Sequence, residues 1–307
     1  VLYTRASRRF EKTPRLPAHF TKQGENNMKL PFKIDLTGQT AVVTGGSGVI
    51  GGMFCRALAA CGATVAVLGR SAEKSEAAAQ AIRGKGGKAF GVTANVLDRE
   101  SLLSARKEIL SRTGGINILI NCAGGAVPGA AIPQDRLAEA APGEKTFFTA
   151  DMDRIHKELD LNIYGTMLPT QIFGECLIGQ TNANIINIAS MGSDRPLTRI
   201  AGYSAAKAAV ANFTQWAAVY FAKSGVRVNA IAPGFFHTTQ NHSLQYNPDG
   251  TPTVRSGKIL RSTPMERFGE PEDLIGALLY LISPKGSSFV TGVILPVDGG
   301  FMSYSGV

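Results

Sequence analysis

The sequence contains no apolar run of the roughly 18–20 residues that a membrane helix needs. Residues 1–27 contain no apolar h-region, so they do not read as a secretory signal. There are four cysteines (Cys55, Cys61, Cys122 and Cys176), with no CxxC pair and no recurring spacing. That excludes a disulfide scaffold and a zinc finger, and suits a reducing, cytoplasmic setting. No metal-ligand spacing is present, so no metal is expected; His237 and His242 read as loop residues. No linker, repeat or low-complexity break interrupts residues 31–307, which read as one domain.

The net charge of +9 is unevenly spread. Seven Lys/Arg and two acids fall in the first 30 residues, a net of +5 that leaves +4 for the rest. Such a balance suits an enzyme with a phosphorylated cofactor. Nucleic acid and membrane are not expected partners, because basic residues alone mark only an electrostatic footprint. Residues 1–30 read as an N-terminal extension, either leader or expression-derived sequence. Met28 is the expected bacterial start, since Lys22-Gln23-Gly24-Glu25 can be encoded by a ribosome-binding sequence.

What is present is glycine, 35 residues of it, and a regular alternation. Short β-branched runs alternate with Ala-rich helical stretches from Thr40 onward. Strands are predicted over 40–44, 64–68, 88–93, 117–121, 184–189, 226–231 and 293–296. Helices are predicted over 50–61, 71–83, 99–112, 152–178, 203–223 and 271–282. The pattern implies βαβ units: an α/β fold, a single Rossmann-type domain with a doubly wound parallel sheet of about seven strands and helices on both faces. Two connections, 124–151 and 234–264, are long. Both leave C-terminal ends of strands, where ligands bind in such sheets, and the second is the expected substrate loop.

The first strand runs into Thr44-Gly45-Gly46-Ser47-Gly48-Val49-Ile50-Gly51. Glycines at a strand-to-helix turn let backbone approach a pyrophosphate, and the helix start supplies N–H groups. The run resembles the TGxxxGxG turn of the short-chain dehydrogenase/reductase family. Val49 stands where that pattern has its second glycine, so the close approach should fall at Gly46 or Gly48. Arg70 follows the second strand where such sites often carry an acid for the ribose 2′-hydroxyl. An arginine there favours the 2′-phosphate of NADP, with NAD as the alternative. The resemblance further assigns Asn95-Val96 to the adenine, and Asn121, Ala123 and Gly124 to the strand and floor beneath the cofactor. It assigns Pro233-Gly234 and Phe236 with Thr238 to the nicotinamide. Gly45, Ser47, Gly48, Val49 and Ile50 complete the expected cofactor set.

Tyr203 and Lys207 are four residues apart on a predicted helix and share a face. An ammonium near a phenol should lower its pKa toward the working range. Ser190 stands at a strand end, and Asn162 lies in Leu161-Asn162-Ile163-Tyr164-Gly165. The family resemblance makes these four a catalytic tetrad. Tyr203 is the acid/base, Ser190 hydrogen-bonds the carbonyl oxygen, Lys207 tunes Tyr203 and binds the nicotinamide ribose, and Asn162 holds a water behind Lys207.

Within the family, Arg195–Ile200, the Phe235-Phe236 loop, Pro264–Gly269 and the C-terminal Tyr304–Val307 resemble the D-mannonate oxidoreductase (fructuronate reductase) branch of hexuronate catabolism. That resemblance implies a small sugar-acid substrate and a homotetramer. Arg195, Arg199 and Asn241 are the candidate substrate residues, since a carboxylate suits bidentate Arg pairing. A 3-oxoacyl-acyl-carrier-protein reductase, a gluconate 5-dehydrogenase and a non-catalytic NADP-sensing regulator are the alternatives.

Overall fold

The computed structural model describes residues 34–238 and 242–306. The N-terminal extension and Asn241 lie outside the described residues.

Seven strands form one sheet: β1 (Thr40–Thr44), β2 (Thr64–Gly69), β3 (Lys88–Thr93), β4 (Ile118–Asn121), β5 (Asn184–Ile188), β6 (Arg227–Pro233) and β7 (Ile294–Val297). Each lies within two residues of its predicted bounds. The order is β3-β2-β1-β4-β5-β6-β7, and every pairing is parallel. β1 and β5 are buried along their whole length, because helices cover both faces. On one face α1 (Val49–Ala60) and α2 (Ala72–Arg83) cover the sheet, with Phe54, Leu58 and Ile82 in the core. On the other face α3 (Arg99–Thr113) supplies Leu102 and Ile109. The order reverses between β1 and β4, so the cleft at their C-terminal ends is the place for a ligand.

The predicted single helix over 152–178 is broken. It starts as α4 (Met152–Leu159), opens into a π-turn over Asp160–Tyr164 and resumes as α5 (Gly165–Gly174). Pro169 sits inside α5 and has no N–H to give to the preceding turn. Such π-turns concentrate at functional sites, and this one carries Asn162. The helix that carries Tyr203 and Lys207, α6, spans Ala201–Phe221.

Loop 234–264 is more ordered than its sequence suggests. It holds α7 (His242–Gln245) and α8 (Val254–Ser262), the latter capped by the Thr253 side chain, which accepts from the Ser256 N–H at 3.2 Å. Gly257 inside α8 masks its helical period. The last helix, α9 (Ile275–Ile282), is entered through a 3-10 turn at Pro271–Leu274 and packs on the α1 face.

Candidate active site

The turn after β1 is shaped by glycines that backbone contacts enforce. Gly45 has φ +64°, and a Cβ there would lie 3.0 Å from Ala123 Cα. At Gly46 it would lie 2.9 Å from the Val43 carbonyl oxygen, and at Gly51 it would run into the Gly45 carbonyl oxygen. The close approach expected at Gly46 or Gly48 therefore involves Gly45 and Gly51 as well. Val49 needs no special backbone, because it opens α1. That helix begins with no side-chain cap at Gly48 and no acid in its first turn. Its first N–H groups are thus available to an anion. Thr44 Oγ1 accepts from the N–H groups of Cys122 (3.0 Å) and Ala123 (3.1 Å), tying this turn to the end of β4.

A cleft of about 520 Å³ opens over this turn. Gly45, Ser47, Gly48, Val49 and Ile50 line it, as do Arg70, Asn95, Val96, Ala123, Gly124, Tyr203, Lys207 and Thr238. Four other predicted cofactor residues lie elsewhere. Asn121 is buried, and its Nδ2 donates to Thr170 Oγ1 and Asn187 Oδ1, each at 2.8 Å, which locks β4 to β5 and α5. Pro233 closes β6, and Gly234 packs against Asp298, which a Cβ would meet at 2.6 Å. Phe236 is buried against Gly269. The sequence reading missed Leu68, Ala94, Leu161 and Ile188, which also line the cleft. Their apolar character gave no signal beyond core. Cys122 lines it too, and burial pushes its thiol up to about 12, so it is not a nucleophile at neutral pH.

Tyr203 and Lys207 come from the first two turns of α6. The Lys207 Nζ sits 5.8 Å from the centroid of the Tyr203 ring and donates to the Ile188 carbonyl at 2.7 Å. Burial depresses the Lys207 ammonium to about 8. The Tyr203 phenol is raised, not lowered: burial pushes it up, a hydrogen bond with the Ser190 side chain opposes that, and the Glu158 charge adds to it. The sequence reading expects the lysine to lower it. Lys207 stands beside the ring and also donates to the Ile188 carbonyl, and burial is the largest influence on the phenol.

Ser190 lies two residues beyond β5, and its Oγ also accepts from the Gly192 N–H at 3.0 Å. Asn162 is fully buried. Its Oδ1 accepts from Gly125 N at 3.0 Å, and its Nδ2 donates to the carbonyls of Gly125 (2.9 Å) and Glu158 (2.8 Å). Its side-chain amide is committed to backbone. It fixes the segment after β4, where a Cβ on Gly124 would lie 2.7 Å from Asn162 Oδ1 and 3.3 Å from Lys207 Nζ.

Glu158 was not anticipated. It is fully buried, its Oε1 accepts from Val127 N at 2.9 Å, and its Oε2 faces Gly202 without a well-formed hydrogen bond. The nearby Tyr203 backbone N–H favours its charge, but burial dominates and raises it. In sequence it looks like one more charge on an exposed helix face.

The substrate candidates separate. Arg195 reaches the C-terminal segment, donating to the Tyr304 carbonyl at 2.9 Å. Arg199 lies beside the entry to α6 with φ +74°, and its Nε donates to the Ile132 carbonyl at 3.2 Å. His237 is held by Gln245 at 2.7 Å and packs against His242 and Tyr246. Among the described residues no group of His, Cys, Asp and Glu could hold a metal, and no helix is long and apolar enough to cross a membrane.

The glycine turn thus lies at the switch point of the parallel sheet, and Tyr203 stands between Ser190 and Lys207 at the same cleft. Comparison with known proteins gives the family. The short chain dehydrogenase family model matches residues 39–249. A Bacillus subtilis protein, uncharacterized oxidoreductase UxuB, is 49% identical over 278 residues, covering 91% of this chain and all of the relative. A solved structure from Haemophilus influenza, provisionally assigned as a D-mannonate oxidoreductase with bound NAD, is 45% identical with a TM-score of 0.86, covering 89% of this chain and 98% of its own. A Burkholderia cenocepacia gluconate 5-dehydrogenase in complex with NADP and tartrate is 31% identical with a TM-score of 0.74, covering 88% and 97%. The chain belongs to the short-chain dehydrogenase family and is an NAD(P)-dependent oxidoreductase acting on CH–OH groups.

Proposed function

We propose that this enzyme interconverts a keto group and a secondary alcohol on a sugar acid, D-fructuronate and D-mannonate, with NADP(H) preferred over NAD(H). The observation that carries the redox chemistry is Tyr203 and Lys207 lining one cleft that is shaped for a dinucleotide, with the Ser190 side chain hydrogen-bonded to Tyr203. The glycine cradle and the uncapped start of α1 fit a pyrophosphate. Arg70, exposed and held by no ion pair among the described residues, fits a 2′-phosphate. The dinucleotide, when bound, supplies or takes the hydride.

Tyr203 keeps its proton at neutral pH, because burial and Glu158 both hold the phenol up. It is therefore set to donate to a carbonyl oxygen as charge develops there. Ser190 hydrogen-bonds the same oxygen and steadies that charge. In the oxidation direction Tyr203 must lose its proton, and Lys207 stabilises the phenolate. Asn162 and Glu158 hold the 125–127 segment that forms the wall beside Lys207.

The sugar-acid substrate is supported by the D-mannonate and gluconate relatives and by Arg199, a cation four residues before Tyr203. The four-cysteine reduced composition supports a cytoplasmic setting. A homotetramer is supported by the bare apolar stripe on α6, where Trp216, Val219 and Tyr220 are 57%, 81% and 67% exposed. Light scattering in solution tests the assembly. The activity test is NADPH and NADH absorbance decay with D-fructuronate set against an acetoacetyl thioester. Turnover of the thioester alone overturns the substrate, and cofactor binding without turnover of either overturns the enzyme reading in favour of a sensor.

A further inference from the structure

Three segments meet beside the start of α6, the helix that carries Tyr203, at a group of charged side chains that no sequence motif brings together. Arg199 comes from the segment between Ser190 and Tyr203. Asp135 comes from the loop after β4. Arg255 and Lys258 come from α8 on the 234–264 loop.

Their charges do not cancel. Lys258 Nζ holds Asp135 at 2.7 Å, so the one acid facing the group is already committed. Arg199 also acts on Asp135, from its other side. Among the described residues no carboxylate lies within ion-pair distance of Arg199 or Arg255. Three cations against one acid leave two positive charges where two guanidinium groups already repel one another. Such repulsion is unfavourable unless an anion relieves it.

Arg255 is also poorly placed for the fold itself. It is the second residue of α8, at the end where the helix dipole is positive, and that first turn contains no acid. Its charge is disfavoured by partial withdrawal from water and by Arg199. What holds it is the Phe235 ring, 5.6 Å from ring centroid to Cζ. Phe235 directly follows the Pro233-Gly234 end of β6, so the arginine is anchored beside the C-terminal end of that strand. Arg199 is equally fixed. It is one of three non-glycine residues with positive φ among the described residues, its carbonyl accepts from Ile132 N at 2.7 Å, and its Nε donates back to Ile132 O. Strain of this kind persists where the surroundings enforce it, and it concentrates at ligand clamps. Arg199 is anchored through its Nε and Arg255 through the ring beneath it, which leaves guanidinium N–H donors for a ligand.

We propose that Arg199 and Arg255 form an anion subsite that takes the carboxylate of the sugar acid, with the Lys258–Asp135 pair holding the two loops at the spacing the pair requires. The subsite rests on the proposed sugar-acid reading for the identity of its ligand, and on the charge arrangement for its sign. Planar guanidinium forks suit a carboxylate better than an ammonium does, so Arg255 is the specificity residue and lysine is a partial substitute.

Two measurements separate the subsite from the substrate. Calorimetric titration of the cofactor-loaded enzyme with inorganic sulfate reads the subsite alone. Arg255→Met should weaken that binding at least tenfold and Arg255→Lys by less; equal binding by all three proteins overturns the subsite whatever the substrate is. Steady-state kinetics with D-fructuronate read the deeper assignment. Arg255→Met should raise KM by about 10–100-fold with kcat within about threefold, the signature of lost ground-state binding. An unchanged KM in an enzyme that turns the acid over overturns the carboxylate role. Absence of turnover by the wild type, with sulfate binding still lost in Arg255→Met, overturns the fructuronate reading and leaves the anion subsite standing.

Discussion

The cofactor end of the cleft is made of backbone. Gly45, Gly46 and Gly51 stand where carbonyl oxygens and main-chain atoms leave no room for a Cβ, and the first turn of α1 offers bare N–H groups. The substrate end is made of side chains carried on loops: Arg199, Asp135, Arg255 and Lys258 from three separate segments. A site built from backbone can bind the part of a ligand that never changes. A site built from loop side chains can be altered one residue at a time while the sheet stays as it is. Tyr203, Lys207 and Ser190 sit at the junction. They should be intolerant of change, because they serve both ends.

Tyr203→Phe gives the largest expected effect on that junction. It removes the proton donor and keeps the ring, so kcat should fall about 10²–10⁴-fold with cofactor affinity little changed. Stopped-flow turnover alongside fluorescence titration of NADPH checks both halves. Full activity in this variant would detach the chemistry from the junction altogether.

Lys207→Met should abolish most activity and yet strengthen the fold. Burial holds the ammonium at about 8 against an ordinary 10.5, a cost of about 3 kcal/mol when the group is charged. Losing the bond to the Ile188 carbonyl takes back about 1–2 kcal/mol. The folded state holds fewer protons than the unfolded one between those two values, so wild-type stability rises with pH across that window. The variant's advantage is therefore full at pH 7 and gone by about pH 10.5. Thermal melts at several pH values read it, and a variant that melts lower than wild type at pH 7 contradicts it.

The same division explains what the sequence makes legible. Backbone constraints leave glycines at fixed offsets, so the turn at Gly45–Gly51 can be read directly. Tyr203 and Lys207 stand out because they share a helix face, while Ser190 and Asn162 become candidates only through the family resemblance. Asn121, Pro233, Gly234 and Phe236 belong to the same motifs but support the cleft from behind, and spacing cannot separate lining from support. Arg255 and Glu158 are invisible for another reason. Their significance comes from neighbours 56 and 31 residues away, Arg199 and Val127, and from burial that composition does not reveal. The π-turn at Asn162 is hidden because helical periodicity looks continuous through it.

Arg70 sharpens the comparison from the cofactor end, where one side chain does carry specificity. Arg70→Ala should raise KM for NADPH about 10–100-fold, the value of a charge-assisted hydrogen bond, and leave KM for NADH nearly unchanged. Parallel steady-state assays with both cofactors decide it. Equal loss for both would mean that Arg70 supports the turn instead of reading the phosphate.

Glu158→Gln gives the smallest effect and the most specific one. The carboxylate spans the two ends of the site: Oε1 holds Val127 on the substrate-side loop, and Oε2 faces the first turn of α6 at Gly202. A glutamine can keep the Val127 bond while removing the charge. If Glu158 were only a structural brace, the pH profile would not move. If its charge bears on Tyr203, alcohol oxidation should reach half its maximum at lower pH in the variant, because a negative neighbour no longer opposes the phenolate. The charged groups beside Tyr203 are Glu158 and Lys207, and only the first is altered. Maximal kcat should change by less than about tenfold, within the range for a residue that does not itself transfer the proton. A pH profile identical to that of the wild type would confine Glu158 to the loop and leave the tuning of Tyr203 to burial and Ser190.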